Sequence, residues 1–353
     1  MSLAVVVWAT VAFVLVYSGP ERGTWADVSA TFGWVPTVLS HLPRNTSTAV
    51  LELLLLAGMA GPGWCMCKLL RLDWHDRLEA LVFCVAAGLA VWVPLVLVVG
   101  TYVGLHRADI LVPTLLYESP SVVLGGLWAR RAVARQGRAT ASRGGGVRWL
   151  DVALCAVGAA LVYYIFLGAL SPETFYDARW YHLGSAAHAV EVGHFYNIVA
   201  ATHDPAMGLN PYQEIQFTGL YAVLGAHGAK LLSFFDLVLV LLGVVAFARR
   251  HLASTRVGIL AALALLSIPV VSWAGTSAYN DLPVALYTLL AAHALAVWWR
   301  DRSSWGWAYL GIGMAAFSLG VKDLGLFTLG LALVVVVLGI VRRPDLRVHL
   351  GRR

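Results

Sequence analysis

What constrains this chain most is a series of apolar runs, each close to 20 residues and separated by short polar turns. A run of about 20 residues is what an α-helix needs to cross bilayer hydrocarbon. The runs predict helices at about 3–18, 48–69, 79–103, 110–129 and 150–170, then at about 229–248, 257–273, 282–299, 305–320 and 323–341. The predicted fold class is therefore all-α, a polytopic membrane protein of about ten transmembrane helices. Composition points the same way. The 353 residues are 59% apolar and 12% charged, against about 25% charge in soluble domains, and mean hydropathy is +0.75. A water-soluble globule, a disordered chain and a secreted disulfide scaffold are excluded. The first run lacks a basic leader and a small-x-small cleavage site, so it reads as a retained anchor. Cys65, Cys67, Cys84 and Cys155 all lie in apolar segments and read as small buried hydrophobes rather than a metal or disulfide pair.

The formal charge of +6 is explained by where the cations fall. With the amino terminus in the cytoplasm, nineteen of the 25 Lys and Arg residues lie inside, among them Lys68, Arg71, Arg77, Arg249, Arg250 and Arg300. Only Arg22, Arg44, Arg107, Arg179, Lys230 and Lys322 lie outside. Such asymmetry orients a multi-pass protein in the cytoplasmic (inner) membrane, here with both termini cytoplasmic. No basic stripe with interleaved aromatics is present, so nucleic acid is excluded as a partner and the lipid bilayer is expected. This alternation treats Leu209 to His227, polar at Gln213, Glu214 and Gln216, as an interfacial or re-entrant helix rather than a span. A basic, glycine-rich linker at 132–148 divides a four-helix membrane bundle (1–131) from a larger core (149–353). No internal repeat supports the inverted-repeat plan of many transporters.

The longest non-spanning stretch, 171–228, falls on the outer side and concentrates ionisable residues: Asp177, Arg179, His182, His188, Glu191, His194, His203, Asp204 and Glu214. Its aromatics, Phe175, Tyr176, Trp180, Tyr181, Phe195, Tyr196 and Tyr212, favour an ordered structure on the membrane surface. From Asp177 the pattern is helical, and Asp177, Tyr181 and His188 share a side at about 100° per residue. Asp177 has two readings, a solvated interfacial acid or a catalytic carboxylate. The histidine spacings do not match the i, i+4 geometry of a helical metal pair. No cofactor is implied, and a hard divalent metal on Asp177, Glu191 or Glu214 is the one alternative left open. Two more polar points share this face: Tyr279-Asn280-Asp281 at the start of the eighth span, and Lys322-Asp323 within an apolar hairpin. Lys322 either snorkels outward or meets a lipid phosphate. Asp236, in the sixth span, is the most lipid-buried acid of its region and faces another helix, whereas Glu52 and Glu118 are placed to pair across helices.

Taken in order, Pro172-x-x-Phe-Tyr-Asp177-x-x-x-Tyr181-His182-Leu183, Glu191-x-Gly193, Asn210-Pro-x-x-Glu214, Gly228-Ala-Lys-Leu-Leu232, Pro269-Val-Val271, Gly275-Thr276, Tyr279-x-Asp281-Leu282 and Gly320-x-Lys322 form one series. From about residue 150 to 341 this series resembles the bacterial integral-membrane glycosyltransferases of the GT-C fold. The likeness is to the family 39-like branch of protein O-mannosyltransferases and lipid A aminoarabinose transferases. The resemblance implies a GT-C-like core with a large extracytoplasmic first loop. It also implies transfer of a sugar, with inversion, from a polyprenyl-phosphate donor to a glycan, lipid or protein acceptor at the outer face. In that setting Asp177, His182 and Lys322 are the expected catalytic residues. Arg179, Tyr181, Glu191, Asn210, Glu214, Tyr279 and Asp281 are the expected substrate contacts. A secondary transporter or lipid-carrier flippase is the competing reading. A non-catalytic, truncated family member is the third, since family members continue with further spans.

Overall fold

The computed structural model describes residues 35–136, 149–196, 211–300 and 304–342. The predicted span at 3–18, much of the linker, His203, Asp204 and Asn210 lie outside them. Among the described residues every regular element is helical. The series runs α1 (Val35–Leu69), α2 (Arg77–Tyr102), α3 (Arg107–Gln136) and α4 (Trp149–Ala169). A single π turn (Ala178–His182) leads into α5 (Leu183–Val192). Beyond it lie α6 (Pro211–His251), α7 (Thr255–Leu266), α8 (Pro269–Ala274), α9 (Asp281–Arg300), α10 (Trp305–Val321) and α11 (Gly325–Val341). Five segments are long and apolar enough to cross a membrane: Thr46–Leu69 of α1, and α2, α4, α6 and α9. The apolar helices α7, α10 and α11 are shorter.

The helices depart from the predicted boundaries for local reasons. Hydropathy predicts one helix over 257–273, but two short ones form. Proline cannot donate to a preceding turn and restricts the residue before it, so Ile268 is extended (φ −84°, ψ 115°) and Pro269 restarts a helix at its first position. The polar stretch before residue 228 is not a separate surface helix. It is the first arm of α6, bent at Gly225, whose φ of 76° is readily reached only by glycine. This arm enters the bundle and buries Gln213, Ile215, Gln216, Phe217, Thr218 and Leu220. Two of its polar side chains bond to buried carbonyls: Gln216 Nε2 donates to the Leu89 carbonyl at 3.0 Å and Thr218 Oγ1 to the Glu214 carbonyl at 2.7 Å.

The core runs through α2, α6 and α9, each with 67% of its most apolar window buried, whereas α4 buries only 17% of its own and is peripheral. Small residues let backbones approach, as expected of helices packing in lipid. Gly88 faces the Met59 carbonyl with no room for a Cβ. Tyrosine hydroxyls cross the same layer, Tyr117 to the Gly88 carbonyl (2.8 Å) and Tyr287 to the Ala86 carbonyl (2.9 Å).

The two ends of the bundle are fastened differently. At one end Asp76 caps α2 by accepting from the Glu79 amide at 2.9 Å. Glu79 accepts from His293 Nε2 (2.8 Å), Arg250 Nη1 (2.6 Å) and the His75 amide (2.7 Å), while Arg249 pairs with Asp76 at 2.9 Å. Arg256 holds Asp151 through two bonds of 2.7 and 2.9 Å. At the opposite end, backbone bonds from Leu105 to Gly193 and from Phe195 to Gly100, both 2.8 Å, tie the tail of α5 to the α2–α3 turn.

Candidate functional site

The site at this second end begins with the π turn. Here the Leu183 amide reaches back to the Ala178 carbonyl, five residues away, instead of four. Such turns insert one extra residue and rotate the side chains beyond it, and they concentrate at functional sites. The extra residue breaks the predicted common side of Asp177, Tyr181 and His188. His188 lies exposed beside Glu191 (3.9 Å) and the Tyr196 ring, while Asp177, Tyr181 and His182 turn inward to one cluster.

In that cluster the Tyr279 hydroxyl donates to Asp177 Oδ2 at 2.5 Å. His182 is buried, and its Nδ1 lies 2.7 Å from Glu214 Oε1. Because an ionised carboxylate only accepts, Nδ1 is the donor of that pair. The His182 ring lies against the Tyr279 ring (5.0 Å between centroids) and the Tyr181 ring (4.3 Å). His182 Nε2 and Glu214 Oε2 are buried and unpartnered. Burial raises the Tyr181 phenol above its ordinary range, and the Asp177 charge adds to it. Burial, and then the hydrogen bond to Asp177, raise Tyr279 further. Both phenols therefore stay protonated donors at neutral pH.

Two residues beyond Tyr279, Asp281 stands in the first turn of α9 and pairs with Lys322 Nζ at 2.5 Å. Lys322 is extended and ends α10, which lets it reach across to α9 rather than to its neighbour Asp323. The predicted hairpin lysine thus joins the Tyr279–Asp281 segment, with both partners partly exposed.

Glu173, which sequence reasoning passed over, organises this arrangement. Its Oε2 accepts from Ser277 Oγ (3.0 Å) and the Ala278 amide (2.9 Å), and its Oε1 from the amides of Thr174 and Phe175 (both 2.9 Å). That clamp sets the Asp177 loop against Tyr279, and Phe175 stacks edge-on to Trp273 and Tyr279. An acid directly ahead of the helical pattern, positioned to cap amides, was the available signal.

Other predicted contacts fall elsewhere. Arg179 leaves the cluster and lines an adjoining cleft of about 410 Å³ with Glu173, Tyr221, His227 and Lys230. Lys230 donates to the Ser171 carbonyl at 2.8 Å and, at 3.4 Å, to those of Gly168 and Pro172, closing the end of α4. Glu191 is exposed and apart from the cluster. Among the described residues, no three His, Cys, Asp or Glu side chains gather closely enough to hold a metal ion. Compared with known proteins, the chain matches no family model, no curated protein and no solved structure.

Proposed function

We propose that the chain is a membrane glycosyltransferase that moves a sugar from a polyprenyl-phosphate donor to an acceptor at the outer face of the cytoplasmic membrane, with inversion. A GT-C-like core, the ten-span count, the 1–131 and 149–353 division and the inward-facing termini belong to this proposal. The observation that carries it is the Asp177–Tyr279 hydrogen bond, set beside His182–Glu214 and Asp281–Lys322 at one end of the bundle. Tyr279 occupies one Asp177 oxygen and leaves the other to take a proton. An acceptor hydroxyl attacks the anomeric carbon, Asp177 receives its hydrogen, and the bond from that carbon to the phosphate oxygen breaks. The leaving polyprenyl phosphate gains negative charge, which Lys322 meets by exchanging Asp281 for the phosphate, with Arg179 in the next cleft as a second cation. His182, buried behind the tyrosines, positions Tyr279 and Glu214, and Glu214 and Asp281 hydrogen-bond sugar hydroxyls.

Incubation of the purified protein with a panel of polyprenyl-phosphate sugars tests the reading. Release of lipid phosphate from one donor, lost in Asp177→Asn, is expected, and silence across the panel removes the proposal. One observation favours the competing reading of a transporter or flippase: Glu52 and Asp236 are buried acids inside the bundle. Movement of a donor lipid across vesicle bilayers without sugar transfer would establish it instead.

A further inference from the structure

Two acids sit within the helical bundle with no cation paired to them among the described residues. Glu52 of α1 is fully buried, and neither carboxylate oxygen has a hydrogen-bond partner. Ala49, one turn before it, shares a core cluster with Phe234 and Leu237 of α6, and Asp236 on that same turn is 2% exposed and within electrostatic reach of Glu52. Asp236 Oδ2 accepts from Gln213 Nε2 at 3.5 Å. Gln213 is itself fully buried, and its own Oε1 is unpartnered. The surrounding elements offer little to complete this group. Tyr287 of α9 lies within electrostatic reach of Asp236 but gives its hydroxyl to the Ala86 carbonyl. Tyr117 of α3 gives its hydroxyl to Gly88, and Gln216 gives its amide to Leu89. Lys230, on the same helix as Asp236, donates to the end of α4.

Buried acceptors without donors are rare in folded proteins, and an ionised carboxylate is an acceptor only. Protonation converts one acceptor into a donor, supplies the missing hydrogen bond and removes one of two like charges from a low-dielectric interior. A metal ion fits less well, because hard cations take six or more oxygens and two side chains plus one amide oxygen do not supply them. We propose that Glu52 and Asp236 form a proton-binding site inside the bundle, one of the two carboxyl groups carrying a proton while the Gln213 amide stabilises the charge that remains. The proton comes from water, so the pair passes from two negative charges to one. Gln213 directly precedes Glu214, the partner of His182, which gives the site a short covalent link to the polar cluster at the bundle end. This inference stands independently of the glycosyltransferase reading.

Infrared difference spectroscopy on the full chain in lipid nanodiscs tests it. Expected is a carboxylic-acid C=O band at neutral pH that shifts in D₂O, moves in either Glu52→Gln or Asp236→Asn, and vanishes when both are combined. The band should survive Glu118→Gln, which removes a third buried acid, and be indifferent to replacing sodium with choline. Absence of the band, or its persistence in the double variant, overturns the site. Thermal stabilisation by sodium over choline overturns it in favour of a metal site. If a variant fails to insert, ¹³C labelling of Asp or Glu carboxyl groups in the unaltered chain makes the assignment, and a band shifted by neither label is equally decisive against it.

Discussion

Two His–Glu pairs close opposite ends of this bundle, and the difference between them separates a structural clamp from a site. Glu79 uses both oxygens, on His293, Arg250 and the His75 amide, and its side chain is 1% exposed. Glu214 uses Oε1 on His182 and leaves Oε2 unpartnered, with 15% of its side chain exposed. His293 also keeps a free nitrogen, Nδ1, but its neighbours are the rings of Phe83, Phe247 and His251. Those of His182 include Phe217 but also two tyrosines, one of them bonded to Asp177. A saturated carboxylate whose histidine turns its free nitrogen to aromatic rings has little left to offer a ligand, whereas a half-used carboxylate among polar groups does.

Breaking the comparison at its reactive side should have the largest effect. Asp177→Asn is expected to lower sugar transfer by about 10²–10⁴-fold with an unchanged amount of protein in the membrane, measured as lipid phosphate released per molecule. At the other end, Glu79→Ala strands Arg250 and His293. A loss of about 3–5 kcal/mol in stability is expected for a buried pair so broken, read as a lower unfolding temperature in detergent. Glu214→Gln, its counterpart, should lower transfer while shifting stability far less; equal destabilisation of the two would erase the distinction. Lys322→Ala removes a cation whose bond to a charged oxygen is worth roughly 1.5–3 kcal/mol, so the KM for the lipid donor should rise roughly ten- to hundredfold. Its partly exposed pair with Asp281 contributes little to stability, and an unchanged KM would leave Lys322 structural.

The smallest effect is a pH dependence. Burial, and then the hydrogen bond to Asp177, raise the Tyr279 phenol, so folding favours its protonated form. The stabilisation is complete below the ordinary tyrosine value of about 10 and is lost as pH rises through the higher folded value. The unfolding-temperature gap between the unaltered chain and Tyr279→Phe should therefore be flat up to about pH 10 and narrow only above it. A gap that closes near neutrality would remove the donor role. Reporter fusions near residues 140 and 205 sharpen the orientation of the two ends: cytoplasmic and exterior signals are expected, and one shared side overturns it.

Much of this was legible along the chain because it is written at short range. Hydrophobic length announced the spans at Thr46–Leu69, α2, α4 and α9 within a few residues. Asp177, Tyr181, His182, Glu214, Tyr279, Asp281 and Lys322 were selected as polar residues of the expected outer face that also match the family series, and these lie together at one end. Arg179 and Glu191 were selected by the same rule and do not join them, because a one-residue π insertion re-aims side chains and leaves no mark in hydropathy. The expected pairing of Glu52 with Glu118 also fails. Glu118 packs against Gly58, whereas Glu52 lies within electrostatic reach of Asp236, a choice made by helix rotation that periodicity alone does not specify.

By itself the sequence determined the solvent of this protein and the lengths of its segments, since transfer of apolar runs into lipid is a sum over neighbouring residues. Tertiary structure alone decided which polar groups become partners. The buried arm of α6, the Glu173 clamp and the Glu79 pairs join residues from 23 to more than 200 positions apart. In a medium without water each polar atom must find its partner among whichever helices pack beside it, and that neighbour is set by packing rather than by position in the chain.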